Sequence, residues 1–207
     1  PIILFHHRNI DELINLIKSR IFIGYKDYFY HVVFEDFFGE HLVKDFNVDK
    51  NRLYIIPHPA RRKKLDQNQC VYDCVGLCNS NDESFIDAII DNDEKFVANG
   101  LKVLLRSKRR TYKGRGVETI NGYLEKEKYD EIINSASSIF VPFQDGYIYR
   151  LSGSIYDGLS REKLVFTTSK FYTEDYTRRY PGVCFHVETV DELIEGLKKH
   201  RRTEKKN

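Results

Sequence analysis

Short apolar runs rich in β-branched and aromatic residues recur along the chain, and between them the apolar positions fall at helical spacing. PIILF, IFIGY, the start of HVVFEDF, RLYIIP, CVYDCVGLC, LKVLLR, VETINGYL, SIFVPF, LVFTT and VCFHV predict strands. Leu13, Ile14, Leu16 and Ile17 form the apolar stripe of a first helix capped by Asn9 or Asp11, and DFFGEHLVKDF predicts a second. Phe85, Ile86, Ile89 and Ile90 mark a helix capped by Ser80 or Asn81. Residues 129–136 predict another, with Ile132 and Ile133 inward, and a further one carries Ile155, Tyr156 and Leu159. A last helix starts at Thr189 or Asp191 and runs through Leu193, Ile194 and Leu197. Alternation of this kind implies an α/β fold, a Rossmann-like doubly wound parallel sheet preceded by part of a second α/β domain.

The domain reading follows the polar breaks. Residues 1–60 are expected to be the remainder of an N-terminal α/β domain, ending on an apolar strand stopped by Ile-Pro-His-Pro, where proline blocks a helix. Residues 61–69, beginning RRKKLDQN, form a solvated linker; residues 70–200 form the second domain; residues 201–207 are a basic tail. A length of 207 residues suits one domain plus part of another. With 31% charged residues but a net charge of +2, no overall field argues for nucleic acid. Mean hydropathy is −0.51 and no apolar run reaches the length of a membrane span. PIILF is too short for a signal peptide and runs at once into His6, His7 and Arg8. The expected compartment is the cytoplasm, with contact at the inner membrane face kept open by the two basic stretches. There is no methionine, so Pro1 is read as an interior cut. Cys70, Cys74, Cys78 and Cys184 show no paired C-x-x-C, which favours reduced thiols over a metal site.

In a doubly wound sheet a ligand lies beyond the carboxyl ends of the strands, so the residues just after each strand are informative. Arg106 and Lys108 leave a strand directly and suit a diphosphate, one as a planar fork and the other as a point charge. The other basic residues of that loop, Arg109, Arg110, Lys113 and Arg115, read equally well as a solvated face. Between SIFVPF and LVFTT, small residues open a helix, so its amides and dipole favour an anion. This turn holds Tyr149, Arg150, Ser152, Gly153 and Ser154, with Asp157 one turn further on.

At this stretch the chain resembles the C-terminal, donor-binding half of retaining GT-B glycosyltransferases of the group 1 type. The family pattern is an acid, seven residues, a second acid and a small residue. Asp157 takes the second acidic place, which the resemblance implies holds the nucleotide ribose, and Gly158 follows it. Tyr149 stands where the first acid, commonly assigned to the transferred sugar, should be. Arg150, Ser152 and Gly153 match an Arg-x-Ser-Gly found in some of these enzymes. The resemblance further implies that Gly122, Tyr123 and Leu124 read the base through their backbone, with the Tyr123 ring free to stack. It also places His6, after the first strand, as an acceptor-side catalytic candidate beside Arg150.

The expected function is therefore transfer of a sugar from a UDP- or GDP-linked donor to a saccharide or lipid-linked acceptor in polysaccharide biosynthesis. No metal and no cofactor are expected beyond the donor itself. The alternative is a non-catalytic α/β module binding a phosphorylated ligand or a partner protein, which the tyrosine at 149 favours.

Overall fold

A computed structural model describes residues 1–6, 10–58, 70–79, 81–144 and 148–204, with side chains to residue 201. The expected linker, residues 61–69, lies outside them, as do Ser80, the expected cap, and His7. The chain divides into two compact units, Pro1–Pro59 with Gly146–Ser152, and Ala60–Asp145 with Gly153–Asn207.

The N-terminal unit is a three-stranded parallel sheet in the order β1 (Ile2–Phe5), β2 (Phe29–Val33), β3 (Leu53–Ile55). Helices α1 (Leu16–Tyr25) and α2 (Asp36–Phe46) make the crossovers. His31, Val33, Leu53 and Ile55 share the face on which α2 packs. The approach is close at Gly39, where a Cβ would stand 3.1 Å from Leu53 Cδ2. Two expectations fail here. IFIGY is not a strand but the second half of α1, and that helix starts at Leu16 rather than near Asp11. The cause is Asn15, whose side chain accepts from the amides of Ile17 and Lys18 and nucleates the helix; residues 11–14 form only a 3-10 turn. Of the expected inward stripe, Leu13 alone is buried, while Ile14, Leu16 and Ile17 face solvent.

The second unit is a six-stranded sheet, parallel throughout, in the order β6-β5-β4-β7-β8-β9. Its strands are β4 (Tyr72–Gly76), β5 (Val103–Arg106), β6 (Val117–Ile120), β7 (Ala136–Val141), β8 (Leu164–Thr167) and β9 (Cys184–His186). The helices are α3 (Glu83–Asp91), α4 (Asp93–Ala98), α5 (Lys126–Asn134), α6 (Gly153–Leu159), α7 (Lys170–Arg179) and α8 (Val190–Glu204). One core joins Ile86, Ile89 and Ile90 of α3 and Leu193 and Leu197 of α8 to Cys74, Leu105 and Phe140 of the sheet. Each such aliphatic side chain contributes about 1.5–3 kcal/mol on burial. Val75, Ile139 and Val165 alternate to the other face, where α6 lies against Ile139.

The Rossmann-like α/β expectation is met, and most local differences are at caps. Asp82, not Ser80 or Asn81, caps α3 by accepting from Ser84 N and Phe85 N. Helix α5 ends at Asn134 because Ala136 already pairs with Tyr72 in the sheet. Helix α7 has no counterpart in the sequence reading: its mean composition is polar, and its buried side chains are Tyr172, Asp175 and Tyr176. Helix α8 continues through residue 204, into the expected basic tail. No helix among the described residues is long and apolar enough to cross a membrane.

Candidate functional site

The strand order reverses between β4 and β7, and in an open parallel sheet the crevice beyond such a pair of strand ends is where ligands bind. Asn81 spans it. It bridges to Phe143, its Nδ2 donates to Arg106 O at 2.9 Å, and its carbonyl accepts from Gln144 Nε2 at 3.0 Å. Asp82 N donates to Pro142 O at 2.9 Å, so the loops after β4 and β7 are laced together.

Beyond β5, Arg106 and Lys108 make no side-chain hydrogen bond or ion pair among the described residues, and Lys108 is exposed. The backbone beside them is already committed. Buried Glu83, in the first turn of α3, accepts from Ser107 Oγ at 2.7 Å and from Lys108 N at 3.0 Å, while Ser107 Oγ accepts from the amides of Arg109 and Arg110. An internal carboxylate therefore occupies an amide that an anion would otherwise use. Arg110 and Arg109 pair with Asp91 and Asp87 of α3, as a solvated basic face would. Beyond β6, Gly122 has φ +91° with nothing near its Cβ position, Tyr123 is 79% exposed, and Leu124 is half-buried. The turn there needs glycine, and the Tyr123 ring is presented to solvent.

The residues of α6 come together with two that the sequence reading passed over. Asp157 Oδ1 accepts from Arg161 Nη1 at 3.0 Å and Oδ2 from Tyr129 Oη at 3.1 Å, with its side chain 30% exposed. Arg161 is 1% exposed; it also donates from Nε to Asn134 Oδ1 at 3.0 Å and from Nη2 to Asp130. Burial first, then the Asp157 charge, holds the Tyr129 phenol above its ordinary pKa. Gly153 opens α6 with open space at its Cβ position, whereas Gly158 lies hard against Ile139. The signal for Arg161 was legible: an arginine four residues after an acid on one helix face makes an ion pair.

Tyr149, Arg150 and Ser152 belong with the N-terminal unit. Asp11, itself buried, accepts from Tyr149 N at 2.7 Å and from Arg150 Nε at 3.2 Å, and burial raises its pKa against the lowering effect of those two donors. The Tyr149 ring stacks on His41 with centroids 3.8 Å apart, and Ser152 is buried. His6 lies in the same unit, fully buried, with Nε2 2.9 Å from His31 Nδ1. His31 Nε2 in turn donates to Lys26 O at 2.9 Å, so the imidazole pair forms a chain anchored on the backbone. The expected turn falls into two units: Tyr149 and Arg150, held by Asp11 and His41, lie with Ser152 in the first, and Gly153, Ser154 and Asp157 in the second.

No protein-family description and no curated protein matches the sequence. Solved structures do. TarM superposes at TM-score 0.64 with 13% identity, over 94% of this chain and 41% of its own. A glycosyltransferase from Rickettsia africae ESF-5 gives 0.58 and 10%, over 87% and 57%, and the pneumococcal O-GlcNAc transferase GtfA, solved with UDP and GlcNAc, gives 0.53 and 7%, over 89% and 39%. In fold, the chain is similar to these glycosyltransferase structures. It spans about two-fifths of the TarM and GtfA chains and just over half of the Rickettsia enzyme.

Proposed function

We propose that this chain is the donor-binding part of a glycosyltransferase that moves a sugar from a UDP- or GDP-linked donor to a saccharide or lipid-linked acceptor in polysaccharide assembly in the cytoplasm. The observation that carries the proposal is the half-exposed carboxylate of Asp157 on the helix after β7, the strand at which the sheet order reverses. In this reading Asp157 receives the pentose hydroxyls, and Gly122, Tyr123 and Leu124 meet the base. Arg106 and Lys108, with the amides of Gly153 and Ser154, meet the diphosphate. The anomeric carbon–oxygen bond to the phosphate breaks, the diphosphate keeps the electron pair, and the acceptor oxygen forms the new bond and gives its proton to the departing diphosphate. Cations and amides that stabilise the departing charge lower that barrier, so the donor is a substrate and no resident cofactor is called for. UDP and GlcNAc in the GtfA neighbour support a nucleotide-linked donor and a sugar ligand. Calorimetric titration with UDP, GDP and ADP, on wild type and Asp157→Ala, tests it: one nucleotide binds wild type and binds the variant at least tenfold more weakly. Wild type that binds none at millimolar concentration overturns the proposal.

A second reading is a non-catalytic module of the same fold. It is favoured by Tyr149, which stands in the place of an acid and has its ring stacked on His41 and its amide on Asp11. Nucleotide binding without turnover in the full-length protein supports this reading over the first.

A further inference from the structure

Asp157 is not a carboxylate left to find its own orientation. Arg161 Nη1 approaches Oδ1 and also the Asp157 backbone carbonyl, both at 3.0 Å, and Tyr129 Oη approaches Oδ2, so each oxygen carries its own directional donor. Arg161 cannot swing away, because its remaining nitrogens are held by Asn134 and Asp130 and it is 1% exposed. A guanidinium presents its N–H groups in a rigid fork, which transmits that fixity to the carboxylate. Its place is set by the end of α6: Arg161 N donates to Gly158 O, and Glu162 takes a left-handed φ of 56°. Tyr129 has one proton, and it goes to Asp157.

We propose that Tyr129 and Arg161 are positioning residues for Asp157, holding its carboxylate in the orientation that receives the two adjacent hydroxyls of a ribonucleoside diphosphate, and that they set a preference for ribose over deoxyribose. This rests on Asp157 being the pentose-binding acid. Loss of the Tyr129 hydroxyl removes the directional donor on Oδ2, so the ribose hydroxyl received there is bound less well, while contacts to phosphate and base are unaffected.

The test is calorimetry on the full chain with whichever of UDP, GDP and ADP wild type binds, and with its 2′-deoxy counterpart. Wild type is expected to prefer the ribonucleotide, and Tyr129→Phe to bind the deoxynucleotide as wild type does while its ribose preference falls about fivefold, the net size of one typical hydrogen bond. A preference unchanged in Tyr129→Phe overturns this proposal and leaves the nucleotide reading standing; wild type that binds no nucleotide overturns both.

Discussion

A Cβ placed on Gly158 would stand 2.3 Å from Cδ1 of Ile139, closer than any side chain tolerates. Helix α6 can lie on β7 only because that residue has no side chain, and the helix carries Asp157 one residue earlier. Gly158→Ala must push the helix off the strand or force Ile139 from its rotamer, at about 1–3 kcal/mol. Urea unfolding is expected to show that loss, together with weaker nucleotide binding; an unchanged midpoint would contradict the close packing.

Arg161 is a buried cation paired with both Asp130 and Asp157, and its removal takes that partner from each, leaving Asp130 with Lys126 and Asp157 with Tyr129. Arg161→Met keeps the volume and removes the charge, and is expected to lower stability by on the order of 3 kcal/mol, the cost of breaking a buried pair from one side. The double variant Arg161→Met, Asp130→Asn should recover part of it. Thermal melts of the single and double variants read this directly, and equal losses in both would show that the pairing contributes nothing.

Burial depresses the His31 pKa from its ordinary 6.5; Lys26 and Arg52 lower it further, while the hydrogen bond to Lys26 O and the Asp27 charge oppose the shift. The folded state therefore takes up a proton less readily than the unfolded state. Stability from this group is complete above the unfolded pKa and is lost as pH falls through the lower folded value. Its other ring nitrogen meets buried His6, so protonation turns that nitrogen into a donor and forces His6 to change tautomer. Amide exchange at His6, whose N–H is bonded to Val32 O, is expected to lose protection as pH falls below about 6.5, the unperturbed value. Constant protection from pH 7 to pH 5 would count against the buried neutral pair.

The thiols separate by burial. Cys74 is pushed up to about 12 and Cys184 to about 11, both mainly by desolvation, whereas Cys70 is exposed. The thiolate is the reactive form, so alkylation of the native protein is expected at Cys70 first, and at Cys74 and Cys184 only on unfolding. Peptide mapping after brief iodoacetamide treatment checks the order.

Asp11 ties residues 149 and 150 to the N-terminal unit. Asp11→Ala leaves the Tyr149 amide without its acceptor and is expected to cost about 1–3 kcal/mol, with faster exchange at Tyr149. Asp11→Asn retains an acceptor and removes a charge that burial disfavours, so it should lose less. Equal losses in the two variants would assign the effect to Arg150 alone.

Periodicity alone determined the α/β alternation, nearly all the strands, and the strand, turn, helix, strand unit around Asp157, because a parallel sheet buried on both faces writes itself as short apolar runs. The Asp-to-Arg spacing at 157 and 161 was also in the sequence. Tertiary structure decided what local pattern does not carry. IFIGY is helical because Asn15 starts a helix before it, and α7 is built on the buried side chains of Tyr172, Asp175 and Tyr176 in a polar segment. The site divides in the same way. That Glu83 fills the amide beside Lys108, that Asp11 claims Arg150, and that Tyr129, 28 positions away, directs Asp157 all depend on groups distant in sequence. Directional hydrogen bonds to charged groups form only once the sheet has brought their elements together.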